Sequence, residues 1–300
     1  MGHEELYVEL LSSLADLELS PDLPDETVET TLKALWQAAA WNPCSAARAS
    51  KMDLPKLRDE QMASLQDAVG RRLAGIPLMQ ITGRVEFMGI ELLFEPSVCL
   101  VRPETEILGR RAVDVLSNCL GGQRAPLMID IGCGSGNLSC GIAQKIPSLR
   151  VYSVDTLKSC VELTKSNVRR CGLEDRIVVS QGDLFAPLKE LELKKAVDVV
   201  VCNPPYISSV RLEADRSHLL EHEPREALDG GAYGFSVHQR LIKEAPEFLM
   251  PGGWLLFEFG AGQSRQVRSL FQRSKAFDLV DFATDAQGVD RVAAGRSAMP

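Results

Sequence analysis

The glycine-rich stretch from Leu127 to Asn137, LMIDIGCGSGN, constrains the fold of this chain more than any other segment. An apolar run ends at the carboxylate of Asp130 and is followed at once by three alternate glycines, Gly132, Gly134 and Gly136. Glycine has no Cβ, so it permits both a tight strand-to-helix turn and a close approach of the backbone to a ligand. The stretch therefore predicts a buried parallel strand that turns into a helix beside a bound small molecule.

The spacing of these glycines restricts the identity of that molecule. It differs from the Gly-x-Gly-x-x-Gly of dinucleotide sites and from the phosphate-binding Gly-x-x-x-x-Gly-Lys loop. No lysine follows to meet a phosphate, and the Asp130 carboxylate would repel one. A cofactor with a cationic or hydroxyl-rich end fits better, which predicts S-adenosylmethionine (SAM). The candidate cofactor-binding residues of this loop are Asp130, Gly132, Cys133, Gly134, Ser135 and Gly136.

Composition narrows the classes of function. A chain of 300 residues with 45% hydrophobic content can bury a sizeable core. The formal charge of -8 argues against sequence-independent binding of nucleic acid. No apolar run reaches the length of a membrane span, so no membrane partner is expected. Four histidines and eight cysteines without a C-x-x-C pair predict no metal site and the reduced thiols of a cytoplasmic protein. The cysteines are Cys44, Cys99, Cys119, Cys133, Cys140, Cys160, Cys171 and Cys202.

The first part of the chain has apolar residues at helical spacing, interrupted by Pro21, Pro24, Pro43 and Pro55. We expect a small helical domain over residues 1–78, which either contacts a substrate or partner or only covers the main domain. Between Ile81 and Val101 the apolar period falls to about two, which predicts a β-hairpin linker over 79–102. The next segment, RPETE, has the proline and acidic residues of a helix start. Its helix is expected through Ile107 to Leu116.

Residues 103–300 form the third predicted domain, in which strand and helix patterns alternate. This rhythm predicts an α/β fold, a doubly wound parallel sheet with helices on both faces. In such sheets ligands bind beyond the carboxyl ends of the strands, next to the first strand. The strand candidates are Leu127–Asp130, Val151–Asp155, Ile177–Gln181, Val197–Cys202 and Trp254–Phe259. The helix candidates are Leu138–Lys145, Ser159–Arg170 and Val237–Leu249.

Two of these strands end in residues suited to a nucleoside. Asp155 ends the second strand, where a carboxylate can accept hydrogen bonds from both ribose hydroxyls, although a capping aspartate is the alternative. Asp183 and Leu184 end the third strand, where a carboxylate and an apolar surface suit an adenine amino group and ring. The alternative for this pair is an ordinary Gly-Asp turn.

The fourth strand ends in Asn203-Pro204-Pro205-Tyr206, the most specific signal in the chain. The prolines fix the backbone and remove amide donors, so the Pro204 carbonyl and the Asn203 side-chain oxygen are free to accept hydrogen bonds. Two acceptors suit an NH₂ group on a planar carbon, and Tyr206 adds a ring face for that plane or for a sulfonium. Such a site orients a poorly nucleophilic nitrogen toward a methyl group. These four residues are the candidate catalytic residues, and Asn203 is also expected to contact the cofactor; a Pro-Pro turn is the alternative.

Together the motifs resemble the release-factor glutamine methyltransferases (HemK/PrmC-like), a family of class I SAM-dependent methyltransferases. The resemblance runs from Arg71 to Gly295 through GIPLMQITGRVEFMG, RPETE, DIGCGSGN, GDLF, NPPY, EPREALDGG, PGGW and GVDRVAAGR. It implies a Rossmann-like, seven-stranded sheet with one antiparallel strand near the end, preceded by a helical domain and a hairpin. The glycine loop would hold the methionine moiety, Asp155 the ribose and Leu184 the adenine, with Thr105 of RPETE also at the cofactor. The acceptor would be a glutamine side chain of a protein such as a peptide-chain release factor.

The sequence is also compatible with functions other than glutamine methylation. Gln80 stands where the family usually has Tyr, and Val101 where it usually has Pro. These departures motivate a divergent paralogue that methylates a small-molecule metabolite, or that cyclises SAM itself to azetidine-2-carboxylate and methylthioadenosine. Adenine methylation on nucleic acid is a third hypothesis, which the acidic charge disfavours; a SAM-binding module without catalysis is a fourth. The sequence carries no signal for the oligomeric state.

Overall fold

The computed structural model describes residues 2–19, 23, 25–118, 124–221 and 223–299, the side chain of His218 excepted. The chain divides into two compact units, Met1–Pro96 and Ser97–Pro300. The residues outside these ranges include Pro21, Pro24 and Cys119. The other seven cysteines lie within the described residues and are free thiols. In these ranges no helix is both long and apolar enough to cross a bilayer.

The first unit is helical, with a hairpin at its end. Its core buries Leu32, Leu35, Trp36 and Leu65 almost completely. The helical structure that the apolar spacing predicts is present, and it includes two short helices, at Ala46–Ala49 and Leu78–Thr82. The elements are α1 (His3–Ser13), α2 (Val28–Ala39), α3 (Ala46–Ala49), α4 (Asp59–Leu73), α5 (Leu78–Thr82), β1 (Arg84–Phe87) and β2 (Ile90–Leu93).

The predicted hairpin is formed by β1 and β2, which pair antiparallel. Met88 and Gly89 at its tip both have positive φ, 51° and 82°. Two such residues make the type of two-residue turn that matches the twist of the strands. Ile81, where the period of two begins, lies in α5. Gly83 ends that helix in a left-handed conformation, and the first strand of the hairpin begins at Arg84.

The second unit holds a seven-stranded sheet in the order β5-β4-β3-β6-β7-β9-β8. β9 runs antiparallel to both of its neighbours, β7 and β8, and the other neighbouring pairs are parallel. This is the expected class I methyltransferase sheet, an α/β fold. The strands are β3 (Leu127–Ile131), β4 (Arg150–Asp155), β5 (Ile177–Gln181), β6 (Val197–Cys202), β7 (Leu249–Glu258), β8 (Phe277–Thr284) and β9 (Asp290–Ser297). The helices are α6 (Thr105–Asn118), α7 (Asn137–Lys145), α8 (Lys158–Arg170), α9 (Ser209–Ala214), α10 (Ser236–Phe248) and α11 (Ser264–Ser274), with 3₁₀ helices at Ala186–Leu188, Ser217–Glu221 and Arg225–Ala227.

The strand order reverses at β3, which pairs with β4 on one side and β6 on the other. All six residues of β6 are buried, so this strand is central to the core. The chain therefore leaves the carboxyl ends of β3 and β6 side by side, at the position where open α/β sheets bind ligands. β7 starts at Leu249, five residues before the predicted Trp254, and its pairing with β6 shifts register between Val197 and Val199.

Candidate active site

A cavity of about 200 Å³ opens at the carboxyl ends of β3, β4 and β6 and the loop after β5. It brings together most of the residues singled out in the sequence. Asp130, Gly136 and Tyr206 do not line it. The predicted residues on its wall are Thr105, Gly132, Cys133, Gly134, Ser135, Asp155, Asp183, Leu184, Asn203, Pro204 and Pro205.

The glycine loop takes the conformation that its sequence requires. Gly132, Gly134 and Gly136 have φ of 68°, 56° and 77°, values that residues with a Cβ rarely adopt. Two side chains of α8 hold the loop from behind: Thr164 Oγ1 donates to the Gly134 carbonyl at 2.9 Å, and Asn167 Nδ2 donates to the Ser135 carbonyl at 2.8 Å. The loop is therefore preorganised by the protein.

Asp155 joins this loop to the end of β4. Its Oδ2 accepts from Gly134 N–H and its Oδ1 from Leu157 N–H, both at 2.9 Å. The side chain is nearly buried, and desolvation raises the pKa of the carboxyl despite those bonds. Asp155 thus makes the backbone contacts of a capping aspartate. It also lines the cavity, as a ribose-binding carboxylate would.

Asp130 lies beneath the loop and is fully buried. Ser139 Oγ donates to its Oδ2 at 2.5 Å and is also hydrogen-bonded to Ser153 Oγ at 2.7 Å. Burial raises the pKa of Asp130 to about 7. Its other oxygen, Oδ1, has no hydrogen-bond partner among the described residues.

The residues after β5 have a partner that the sequence did not indicate. Both carboxylate oxygens of Asp183 accept from the guanidinium of Arg240, each at 2.9 Å. Leu184 has a φ of 46° and is largely buried on the cavity wall. A leucine held in the left-handed region costs roughly 1–3 kcal/mol, a strain that often occurs at functional sites.

Asn203 is held by a hydrogen-bonded chain that ends on a buried acid. Its Nδ2 donates to Thr105 Oγ1 at 3.0 Å, and Thr105 Oγ1 donates to Glu258 Oε2 at 2.7 Å. Tyr206 Oη donates to the other oxygen, Glu258 Oε1, at 3.3 Å. This chain orients the Asn203 amide so that its Oδ1 is left to accept a hydrogen bond from another group.

Glu258, at the end of β7, is the main site residue that the sequence analysis missed. It is fully buried, and desolvation raises the pKa of its carboxyl to about 7. His238 Nε2–H donates to its main-chain carbonyl at 3.0 Å, and burial lowers the pKa of His238 to about 4. The available signal was a single acid at the end of the apolar run WLLFEF.

A second cavity, of about 290 Å³, lies on the other side of the Asn-Pro-Pro-Tyr segment. The second cavity adds Tyr206, and the residues it shares with the first are Cys99, Arg102, Asn203, Pro204, Pro205 and Ala227. At the boundary of the two cavities, buried Glu223 accepts from Cys99 Sγ, Leu100 N–H and Arg102 Nη2. No group of three or more possible metal ligands occurs among the described residues.

Comparison with known proteins gives consistent matches. A family model described as "Methyltransferase small domain" matches residues 111–276. The release factor glutamine methyltransferase of Geobacter sulfurreducens is 36% identical over 243 residues, 80% of each chain. That of Moorella thermoacetica is 34% identical over 224 residues, 75% of this chain and 76% of the relative. The solved structure of a protein-(glutamine-N5) methyltransferase (release factor-specific) from Alicyclobacillus acidocaldarius aligns with a TM-score of 0.40 and 24% identity, over 67% of this chain and 95% of that chain.

Proposed function

The chain belongs to the release factor glutamine methyltransferase family and is a SAM-dependent methyltransferase; on that premise, we propose that it methylates the side-chain amide nitrogen of a glutamine in a peptide-chain release factor. The observation that carries this proposal is the orientation of Asn203. Its amide nitrogen donates to Thr105 Oγ1, which leaves its oxygen free to accept a hydrogen bond. Together with the carbonyl of the next residue, Pro204, this oxygen would supply two acceptors for the two N–H groups of a primary amide.

The first cavity fits SAM. A Cβ added at Gly132 would meet no atom within 4 Å, so the space in front of the loop is open to a ligand. We assign the loop residues Gly132 to Ser135 to the methionine moiety, Asp155 to the ribose and Leu184 to the adenine. Asp130, with one unpartnered oxygen beneath the loop, would act through the loop backbone. When bound, SAM supplies an electrophilic methyl group on a sulfonium.

Asn203, Pro204 and Tyr206 would act on the acceptor. The lone pair of an amide nitrogen is delocalised, so the nitrogen needs both orientation and relief of the positive charge that develops as the methyl group is transferred. The Asn203 oxygen and the Pro204 carbonyl would hold the two N–H groups and leave the lone pair directed at the methyl group. Tyr206, fixed by Glu258, would provide the ring face against the amide plane.

The helical domain, residues 1–78, is assigned to the protein acceptor, with the hairpin region 79–102 as the linker. Trp41 supports this assignment, because its side chain is 68% exposed and its φ is 62°. The guanidinium of Arg58 lies 4.4 Å from its ring centroid. Exposed tryptophan and arginine are the side chains that most often dominate protein interfaces.

No specific observation favours the other hypotheses. The relatives named above are release factor enzymes, and they lend no support to SAM cyclisation or to methylation of a metabolite.

The test is mass spectrometry of the protein incubated with SAM alone and then with a bacterial release factor. We expect S-adenosylhomocysteine only when the release factor is present, together with one added methyl mass on a glutamine of that protein. A release factor in which this glutamine is replaced by alanine is the control and should gain no mass. Methylthioadenosine from SAM alone, above the enzyme-free background, would overturn the proposal.

A further inference from the structure

The second cavity has an uneven distribution of charge. Four arginines line it, Arg102, Arg211, Arg216 and Arg291, against a single lining carboxylate, Glu104. Two of the four are paired: Arg102 with Glu223, and Arg291 with Glu104 and Asp285. In a chain with a formal charge of -8, such an excess of positive charge is local.

The other two arginines have no ion pair within the part of the chain that the structure describes. Arg211 lies on α9, and Arg216 lies between α9 and the 3₁₀ helix Ser217–Glu221. Both line the second cavity and neither lines the first. They are therefore placed to meet a group on the acceptor side of Asn203, not the carboxylate of SAM beside the glycine loop.

A guanidinium that is free of internal partners can bind a carboxylate through two parallel hydrogen bonds. Aliphatic side chains also line the cavity, namely Ile207, Leu219 and Leu228. An acidic side chain on a peptide, with aliphatic neighbours, matches this mixture. A nucleic acid is a poorer match, because binding of its backbone commonly uses about six to ten phosphate contacts.

We propose that the second cavity is a specificity subsite in which Arg211 and Arg216 bind an acidic side chain of the acceptor, close in sequence to the methylated glutamine. The proposal rests on the proposed function, since it extends the site at which the glutamine amide is held. It adds a requirement that Asn203 and the prolines do not impose: a carboxylate at a fixed distance from the target amide.

The first test is a kinetic one with the intact chain. For Arg211→Ala/Arg216→Ala we expect KM for the release factor to rise about tenfold, with kcat within about twofold and the Kd for SAM unchanged, because each lost charge-assisted bond weakens acceptor binding. Arg211→Lys/Arg216→Lys should recover part of the affinity. The matched control is Arg265→Ala/Arg273→Ala on α11, two exposed arginines that line neither cavity. An equal rise in KM for the control would overturn the proposal.

The second test identifies the acidic partner on the acceptor. Each Asp and Glu within about ten residues of the methylated glutamine is changed to Asn or Gln in turn. One of these changes should raise KM for the unmodified enzyme and have little further effect in Arg211→Ala/Arg216→Ala, because the two changes remove the same interaction. Effects that simply add at every position contradict the subsite. Loss of RNA binding in the double variant, with no sensitivity to acceptor acids, would assign the arginines to phosphate instead.

The third test does not require turnover, so it separates failure of the subsite from failure of the proposed function. Acetylated peptide amides with a central glutamine and one Asp, placed in turn at each position within about ten residues of it, are titrated into the S-adenosylhomocysteine-loaded protein. Each is compared with the peptide that has Asn in place of the Asp, and binding is followed by ligand-detected NMR at low salt. At one or more positions we expect the acidic peptide to bind at least about threefold more tightly, and that preference to disappear in Arg211→Ala/Arg216→Ala. Equal binding within every pair of peptides, or a preference that persists in the variant, would overturn the subsite even if the release factor is methylated. Absence of methylation by the unmodified enzyme bears on the proposed function alone.

Discussion

At the scale of single residues, the proposed chemistry depends on which way the Asn203 amide points. Asn203→Ala removes one of two acceptors used in the reacting complex, so kcat should fall about 10²–10³-fold while the Kd for SAM stays within about tenfold. Turnover assays and calorimetric titration of SAM measure the two effects. Asn203→Asp is the matched control, since it keeps an acceptor but cannot donate to Thr105 and should lose less. Equal losses of turnover and SAM affinity would mean that Asn203 has a structural role and does not hold the acceptor.

Glu258 should make the stability of the folded protein depend on pH. Its pKa in the folded protein is raised to about 7 from an ordinary value of 4.5 by burial. Between those values the folded state binds more protons than the unfolded state, so this group makes stability fall as pH rises through the window. Asp130, with a pKa raised to about 7, acts in the same direction.

Glu258→Gln should therefore flatten part of that fall. Urea titration measures the free energy of unfolding of the variant and of the unmodified protein at pH 4.5 and at pH 8. The variant should be the less stable of the two at pH 4.5, and this deficit should shrink or reverse at pH 8. Turnover should drop in the same variant because Thr105 and Tyr206 lose a charged acceptor. A difference in stability that is the same at both pH values would rule out titration of Glu258 as the cause.

Site residues that belong to a local motif could be predicted from the sequence. Site residues whose contacts come from distant parts of the chain could not. The glycine loop and the Asn-Pro-Pro-Tyr segment could be recognised because each is a short run with its own backbone requirements. Glu258 and Arg240 could not be, because the site residues they contact, Thr105 and Tyr206 for Glu258 and Asp183 for Arg240, lie 52 or more positions away along the chain. Those contacts exist only once the sheet has brought the ends of the strands together.

At the scale of secondary-structure elements, Gly136 joins the loop to α7 and packs against α8. A Cβ there would lie 2.8 Å from Thr164 Cγ2, in addition to the strain at a φ of 77°. We expect Gly136→Ala to lower the free energy of unfolding by about 2–4 kcal/mol, from strain and overpacking together.

Gly172→Ala is the matched control for that prediction. Gly172 has a φ of 66°, and an added Cβ would meet no atom within 4 Å. It should therefore show only the conformational strain, about 1–2 kcal/mol. Chemical denaturation measures both variants, and equal losses would mean that the contact with Thr164 is relieved by rearrangement.

The elements were predictable where apolar runs were uninterrupted. β5 and β6 match their predicted limits because their branched apolar residues have turn residues on both sides. β7 was predicted to start at Trp254, directly after Pro251-Gly252-Gly253. In the structure Gly252, with a φ of 78°, allows the strand to continue through that segment to Leu249.

At the scale of the whole molecule, each of the two units has buried apolar clusters of its own. The second unit carries the cofactor motifs, whose spacing could be recognised in the sequence. The helical unit carries none. Its proposed role in acceptor binding could not be recognised in the same way, because a protein-binding surface needs shape and exposed side chains and no fixed pattern of residue types.

Trp41 is the residue on which that role can be tested. If the helical unit binds the release factor, Trp41→Ala should raise KM for the release factor about thirtyfold, the loss expected for a central interface residue. The Kd for SAM should not change, because the glycine loop belongs to the other unit. Val8→Ala is the control in the same unit, an apolar side chain that is 62% exposed but has no stacked arginine. An unchanged KM in Trp41→Ala would mean that the acceptor is recognised elsewhere, and equal rises in both variants would indicate a general effect on the helical fold.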